Sequence, residues 1–313
     1  MDSKKQKTIN FLLNNASPSI KRRGANVFPG PPQGTFSLPR NYDKISFKQI
    51  DRKRSMNILS IGNSFSQDAQ KWLHKLAAGN GVEMDTVNLY IPGCSLEQHW
   101  KNALEPTEGY ALEQNGESTG RSVSLSGALG LRQWDIVTLQ QASHFSGMPQ
   151  TYVPYLPALA AFVRERQPQA RLFFHQTWAY EVDSDHEGFA AYHNDQGEMY
   201  RRLKDASEMA VKLIGAELIP TGTVIQTLRA SLPEFRYREG GRSLCRDGFH
   251  LSLDYGRFAA AATWFCTFTG RAVLRCVFPS EEAFEIPLLE KIAAVAADVT
   301  GAGRRSGKEG SRL

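Results

Sequence analysis

The sequence predicts an α/β protein, a three-layer α/β/α sandwich around a central parallel sheet of about five strands. Three observations predict it. Short apolar, β-leaning runs recur along the chain, beginning with Met56-Asn-Ile-Leu-Ser-Ile-Gly62. Longer runs of helical period separate them, so successive strands are joined by helical crossovers and lie parallel. The first two of these runs also lead into glycine and small polar residues, the punctuation of a strand that turns sharply.

Residues 1 to about 54 are rich in Lys, Asn, Ser, Pro and Gly and include Phe28-Pro-Gly-Pro-Pro-Gln-Gly34, so they read as a disordered or wrapping arm. The first strand, Met56 to Gly62, passes through Asn63-Ser64-Phe65-Ser66 into a helix expected over 67–79, with Trp72, Leu73 and Leu76 on one face. Met84 to Tyr90 alternates as a second strand and ends at Ile91-Pro92-Gly93. Ser95 can cap a helix that runs through Trp100 to Leu104. The Gly- and Ser-rich span 106–130 reads as a loop or a short hairpin. Trp134 to Gln140 is the third strand, and Pro149 to Pro157 opens a helix that reaches about Arg166. Arg171 to Gln176 is the fourth strand. The acidic, histidine-bearing stretch from Tyr180 to Asn194 reads as an inserted flexible loop ahead of the amphipathic helix Gln196 to Ile214. Ala216 to Pro220 is the fifth strand, followed by helices over Thr221 to Ser231 and Leu253 to Phe268. One domain over 55–300 results, with 301–313 as a basic flexible tail.

The formal charge of +5 suggests a basic protein, but the arm carries +9 and the tail +3, which leaves the body at −7. Nucleic-acid binding by the folded part thereby loses its main electrostatic support. No apolar run approaches the ~20 residues of a membrane span. Phe11-Leu12-Leu13 is too short for a signal-peptide core, so the chain as written reads as cytoplasmic. The four cysteines show no zinc spacing; Cys94 and Cys245 each adjoin a candidate site block, which makes a disulfide between them one arrangement to test. Asp183, Asp185, His186 and His193 are read as solvated loop residues rather than metal ligands.

Ser64 would stand at the carboxyl end of a buried strand, where ligands collect in open α/β sheets. A plain helix cap made by Ser64 or Ser66 is the competing reading. Far along the chain, Arg246-Asp-Gly-Phe-His250 places a carboxylate three residues before a histidine. A short turn lets Asp247 hold the ring of His250 as a base, so that an early serine and a late Asp-x-x-His compose a triad.

These blocks, with Ile91-Pro-Gly-Cys-Ser95 and Asp135-Ile-Val-Thr-Leu-Gln-Gln-Ala-Ser143, occur in the order of the SGNH (GDSL-like) hydrolase superfamily, which the chain resembles over about residues 55–271. It looks most like a bacterial branch of SGNH type known as a domain of unknown function (DUF4886-like), down to Gln176-Thr-Trp-Ala-Tyr180 and Pro220-Thr-Gly-Thr-Val-Ile-Gln226. The resemblance implies the flavodoxin-like SGNH fold and a serine esterase needing no cofactor, with a carbohydrate O-acetyl ester as the favoured substrate. A non-catalytic glycan-binding protein and a lipase or thioesterase are the alternatives. Two departures stand out. Asn63 replaces the Asp that usually precedes the nucleophile, and Gln140-Gln-Ala-Ser143 replaces a Gly-x-Asn-Asp block.

The expected site therefore comprises Ser64, Asp247 and His250 as the triad. The N–H groups of Ser64 and Gly93 would hold the oxyanion, joined by the amide of Gln141 or, in a register shifted by one, of Gln140. Asn63, Ser143, His144, Trp178 and Tyr180 are the expected substrate-binding residues, the last two by stacking on a sugar ring.

Overall fold

The computed structural model describes residues 55–105, 107–276 and 285–303. The arm expected over 1–54 and most of the expected tail lie outside these residues. The strands are β1 (Met56–Gly62), β2 (Met84–Tyr90), β3 (Tyr110–Gln114), β4 (Glu117–Val123), β5 (Ile136–Leu139), β6 (Arg171–His175) and β7 (Glu217–Ile219). The helices are α1 (Ser64–Gln70), α2 (Leu73–Gly79), α3 (Leu96–Leu104), α4 (Leu125–Leu129), α5 (Tyr155–Arg166), α6 (Gln196–Ile214), α7 (Thr221–Ser231), α8 (Tyr255–Thr269) and α9 (Ile286–Thr300).

All seven strands form one sheet in the order β4-β3-β2-β1-β5-β6-β7. The five expected strands are its parallel part. The span 106–130 supplies the other two, an antiparallel hairpin added outside β2, which corrects the strand count from about five to seven. Its outer strand is solvent-exposed up to Val123 and carries charged and polar residues, as an edge that resists pairing with another chain should.

β1 is buried on both faces because parallel neighbours flank it and helices cover it on each side. Ile58, Ile136, Phe173 and Ile219 point to a core shared with α1, α2, α7, α8 and α9. Leu59, Ile61, Val87, Leu89, Val137, Leu139 and Phe174 point to the opposite core, under α3, α4, α5 and part of α6. Strand alternation thus divides the interior into the two halves of a three-layer sandwich. The helix expected over 67–79 starts earlier, at Ser64, and breaks near Lys71 into α1 and α2. Among the described residues no helix is long and apolar enough to cross a membrane.

The chain leaves β1 towards β2 on one side and later returns to β5 on the other. That reversal puts a crevice beyond the carboxyl end of β1, where open α/β sheets hold their ligands.

Candidate active site

At that crevice β1 turns into α1 within two residues. Asn63 caps the helix by accepting the Phe65 N–H (3.0 Å), and Ser66 closes the capping box by accepting the Asn63 N–H (3.1 Å). A side chain at Gly62 would put its Cβ 2.0 Å from Ser66 Oγ, so only glycine permits so tight a return. Capping is therefore done by Asn63 and Ser66, and the Ser64 hydroxyl is left for other work.

That hydroxyl lies 2.8 Å from His250 Nε2. His250 donates from Nδ1 to Asp247 Oδ2 (2.7 Å), and Asp247 Oδ1 accepts the N–H groups of His250 (2.7 Å) and Phe249 (3.2 Å). Because Nδ1 faces a carboxylate, Nε2 is the nitrogen free to accept the serine proton. Burial alone would raise the Asp247 carboxyl; the bonds from the His250 ring and the two N–H groups outweigh it and hold the group below the ordinary aspartate value.

The turn carrying Asp247 and His250 is tied to the nucleophile's own helix. Asp68, fully buried on α1, accepts Arg246 Nη1 at 3.1 and 3.0 Å, the Leu251 N–H at 2.9 Å and Arg257 Nε at 2.8 Å. One carboxylate thus grips the residue just before Asp247 and the residue just after His250. The sequence reading did not single out Asp68, although an acidic residue four positions after Ser64 on a buried helix face asks for cationic partners.

The cleft over Ser64 has a volume of about 340 Å³ and is lined by Asn63, Ser64, Phe65, Tyr90, Pro92, Gly93, Ser143, His144, His186, Glu187, Gly188, Phe249 and His250. Gly93 follows β2 with φ of +60°. The backbone N–H groups of Ser64 and Gly93 have no hydrogen-bond acceptor among the described residues.

Neither glutamine reaches this cleft, which corrects the expected side-chain donor. Gln141 Oε1 accepts the N–H groups of Leu96 (3.0 Å) and Ala142 (2.8 Å) while its Nε2 donates to Thr151. Gln140 Nε2 donates to Asn63 Oδ1 (2.6 Å), and its Oε1 accepts from His175 Nδ1 (2.8 Å). Strand β5 ends at Leu139, so the two-residue alternation assumed for 140 and 141 no longer applies. Asn63 spends its amide in the same way, donating to the Cys94 carbonyl at 3.1 Å and so fixing the turn that presents Gly93.

Trp178 and Tyr180 are also corrected: both are fully buried and offer no face to a sugar. Trp178 stacks on Phe65 at 4.2 Å and donates from Nε1 to the Phe249 carbonyl (2.7 Å). The Tyr180 hydroxyl pairs with Ser143 Oγ (2.8 Å). Ser143 and His144 do line the cleft, as expected. Cys94 and Cys245 are unbridged, and burial pushes both thiols up to about 12.

The stretch after Tyr180 is solvated on its outer side, where Asp183, Asp185 and His193 are exposed as expected, but it is anchored from within. Residues Glu187–Tyr192 form a 3₁₀ turn with Phe189 and Tyr192 fully buried, and the turn brings His186, Glu187 and Gly188 to the cleft. Among the described residues no group of His, Cys, Asp and Glu converges as a metal site. Tyr90, His186 and Phe249 line the cleft without having been expected there: His186 was read as a solvated loop residue, and Phe249, next to His250, carried the only local signal.

No curated protein matches the chain. A solved DUF4886 family protein from Bacteroides uniformis is 38% identical over 80% of this chain and 96% of its own, with a TM-score of 0.72. A protein provisionally described as an SGNH hydrolase from Slackia heliotrinireducens is 21% identical over 69% of this chain and all of its own, at a TM-score of 0.47. An acetylxylan esterase from Geobacillus stearothermophilus is 12% identical over 72% of this chain and 97% of its own, at 0.44. The profile of one family, described as "Domain of unknown function (DUF4886)", matches residues 57–297, and the chain belongs to that family.

Proposed function

We propose that the protein is a serine-dependent carboxylic-ester hydrolase. The observation that carries this reading is the unbroken hydrogen-bonded line from Ser64 Oγ through His250 to Asp247 at the floor of an open cleft. Ser64 Oγ attacks the ester carbonyl carbon as His250 Nε2 takes its proton, and Asp247 holds the ring's tautomer and balances the imidazolium charge. The carbonyl oxygen becomes an oxyanion facing the N–H groups of Ser64 and Gly93. Collapse of this adduct breaks the bond to the alcohol oxygen, which leaves with the proton from His250. A water molecule deprotonated by His250 then cleaves the acyl-serine, so ester and water yield acid and alcohol.

The finer reading is a carbohydrate O-acetylesterase. Its support is the cleft, which is small for a long acyl chain and rimmed by Tyr90, Ser143, His144, His186 and Glu187, all of which can bond hydroxyl groups. Treatment with a fluorophosphonate tests the chemistry. A single covalent adduct on Ser64, with turnover of p-nitrophenyl acetate that the adduct abolishes, is the expected result. Neither adduct nor turnover would leave the glycan-binding alternative in its place.

A further inference from the structure

The reaction itself decides on which side of Ser64 the alcohol must lie. His250 returns its proton to the departing alcohol oxygen, so the alcohol half of the ester sits on the His250 side, away from Gly93. From His250 one wall of the cleft continues outward. The Phe249 ring lies 4.1 Å from that of His250, His186 meets Phe249 edge-on at 4.7 Å, and His144 lies 6.1 Å beyond His186. Resting on the serine-esterase reading, we propose that Phe249, His186 and His144 form the alcohol subsite, and that it takes a hydroxyl-bearing sugar ring rather than a lipid alcohol.

The polar atoms of this wall are unspent. His186 Nδ1 accepts the Gly188 N–H at 3.0 Å, which places the ring proton on Nε2; that Nε2–H has no acceptor among the described residues. His144 is half-buried, and neither of its ring nitrogens has a hydrogen-bond partner among the described residues. Burial, and secondarily the neighbouring His186, lower its pKa, so the ring stays neutral near pH 7. A neutral imidazole offers one donor and one acceptor, the complement of a hydroxyl group. An alkyl chain lying here would cover these atoms and satisfy none of them, which is how a site built to bond hydroxyls rejects analogues that lack them. Phe249, half-buried beside them, supplies an apolar surface for the carbon face of a ring.

The wall is also built to hold its shape. A Cβ on Gly188 would stand 2.5 Å from His144 Cβ, so glycine is what lets the Glu187–Tyr192 turn close against the turn bearing His144. The Tyr192 hydroxyl then ties the two together, donating to the His144 carbonyl (3.0 Å) and accepting the Gly147 N–H (2.9 Å).

The test compares hydrolysis of an O-acetylated methyl glycoside with that of octyl acetate. Wild type is expected to favour the glycoside. In His186→Ala, KM for the glycoside should rise about tenfold with kcat within about threefold, so the ratio of the two kcat/KM values falls about tenfold. His186→Gln, which keeps a donor, should recover much of that ratio, and His144→Ala should move it the same way as His186→Ala. A framework role alone would depress both substrates together and leave the ratio unchanged, which overturns the subsite. Wild-type preference for octyl acetate overturns it as well. A readout without turnover separates this failure from failure of the esterase reading: titration of the deacetylated methyl glycoside into Ser64→Ala should show saturable binding that His186→Ala weakens about tenfold. If Ser64 is neither labelled nor needed for turnover, it is the esterase reading that fails, and the subsite falls with it even where the glycoside binds.

Discussion

Two histidines at the carboxyl end of the sheet, His250 and His175, each use both ring nitrogens, and they do so to opposite ends. His175 sits beneath the cleft in a chain whose donors can all be assigned. Its Nδ1 faces the Gln140 carbonyl oxygen and must donate, so its Nε2 accepts from the Thr221 hydroxyl (3.1 Å), which in turn accepts from Trp264 Nε1 (3.2 Å). Gln140 passes the chain on to Asn63, and Asn63 passes it to the Cys94 carbonyl. Every member is neutral, and burial pushes His175 down to about 3. His250 is held by a carboxylate and reaches a hydroxyl across an open cleft. The difference teaches that being hydrogen-bonded does not make a base. A base needs a neighbour that welcomes its charge and access for what it deprotonates, and His175 has neither; it is a strut that keeps Asn63, and through it the Gly93 turn, in place.

The largest effect belongs to the His250 side. Ser64→Ala should fold with an unchanged melting temperature and lose about a thousandfold or more in esterase rate, the loss expected when a triad serine is removed. Turnover near that of wild type would break the comparison at once, since His250 would then have no hydroxyl to activate.

Next comes the grip of Asp68. Asp68→Asn removes the charge that Arg246 and Arg257 share, and the turn bearing Asp247 and His250 loses its anchor to α1. Displacement of a catalytic group by an ångström costs about a hundredfold, so kcat should fall roughly ten- to a hundredfold while KM changes little. Labelling of Ser64 by a fluorophosphonate should slow in parallel, measured well below the variant's melting temperature. Unchanged kcat in a variant that has lost stability would make Asp68 a brace of the fold alone.

Gln140→Ala and Gln141→Ala sharpen the strut side. Each strands buried groups that now have partners, Asn63 and His175 in one case and the Leu96 N–H in the other, and each should lower stability by about 1–3 kcal/mol in denaturant unfolding. Gln140→Ala should also lower kcat modestly, because Asn63 holds the Gly93 turn, whereas Gln141→Ala should leave kcat nearly intact. A loss of a hundredfold or more in either would restore that amide to the oxyanion hole.

These outcomes mirror what could be seen in the chain beforehand. The parallel strands were legible because burial on both faces demands short apolar runs, and Ser64, Asp247 and His250 were legible because each sits in a local turn whose chemistry is contained in a few residues. β4 was harder to read as a strand, since an edge open to solvent carries Glu117-Ser-Thr-Gly-Arg-Ser and looks like loop. The glutamines misled because alternation says which face a strand residue takes but not where the strand stops. Trp178 misled because an aromatic at a strand end reads the same whether Phe65 or a sugar covers it. His186 was missed because its stretch is acidic outside and anchored inside by Phe189 and Tyr192, whose burial depends on elements far away in sequence.

The smallest effect is a pH dependence of stability set by the strut. His175 binds a proton in the unfolded chain near its ordinary 6.5 but in the folded protein only near about 3. Between those values the unfolded state carries more protons, so stability rises with pH there and is lost as pH falls below about 6.5. His99, fully buried against the Tyr110 hydroxyl at 2.9 Å and likewise pushed down to about 3 by burial, acts in the same direction. Each ring should contribute a loss of roughly 1 kcal/mol by pH 5.5, one pH unit inside the window. Denaturant unfolding of wild type and His175→Gln at pH 7.5 and 5.5 isolates the share of one ring. The variant is expected to be less stable at both values, because its amide cannot serve Gln140 and Thr221 as the imidazole does, but to lose roughly 1 kcal/mol less than wild type between them. An equal loss in both proteins would mean that His175 takes up its proton inside the fold. The contrast with His250 would then rest on access to the cleft alone, and charge would drop out of it.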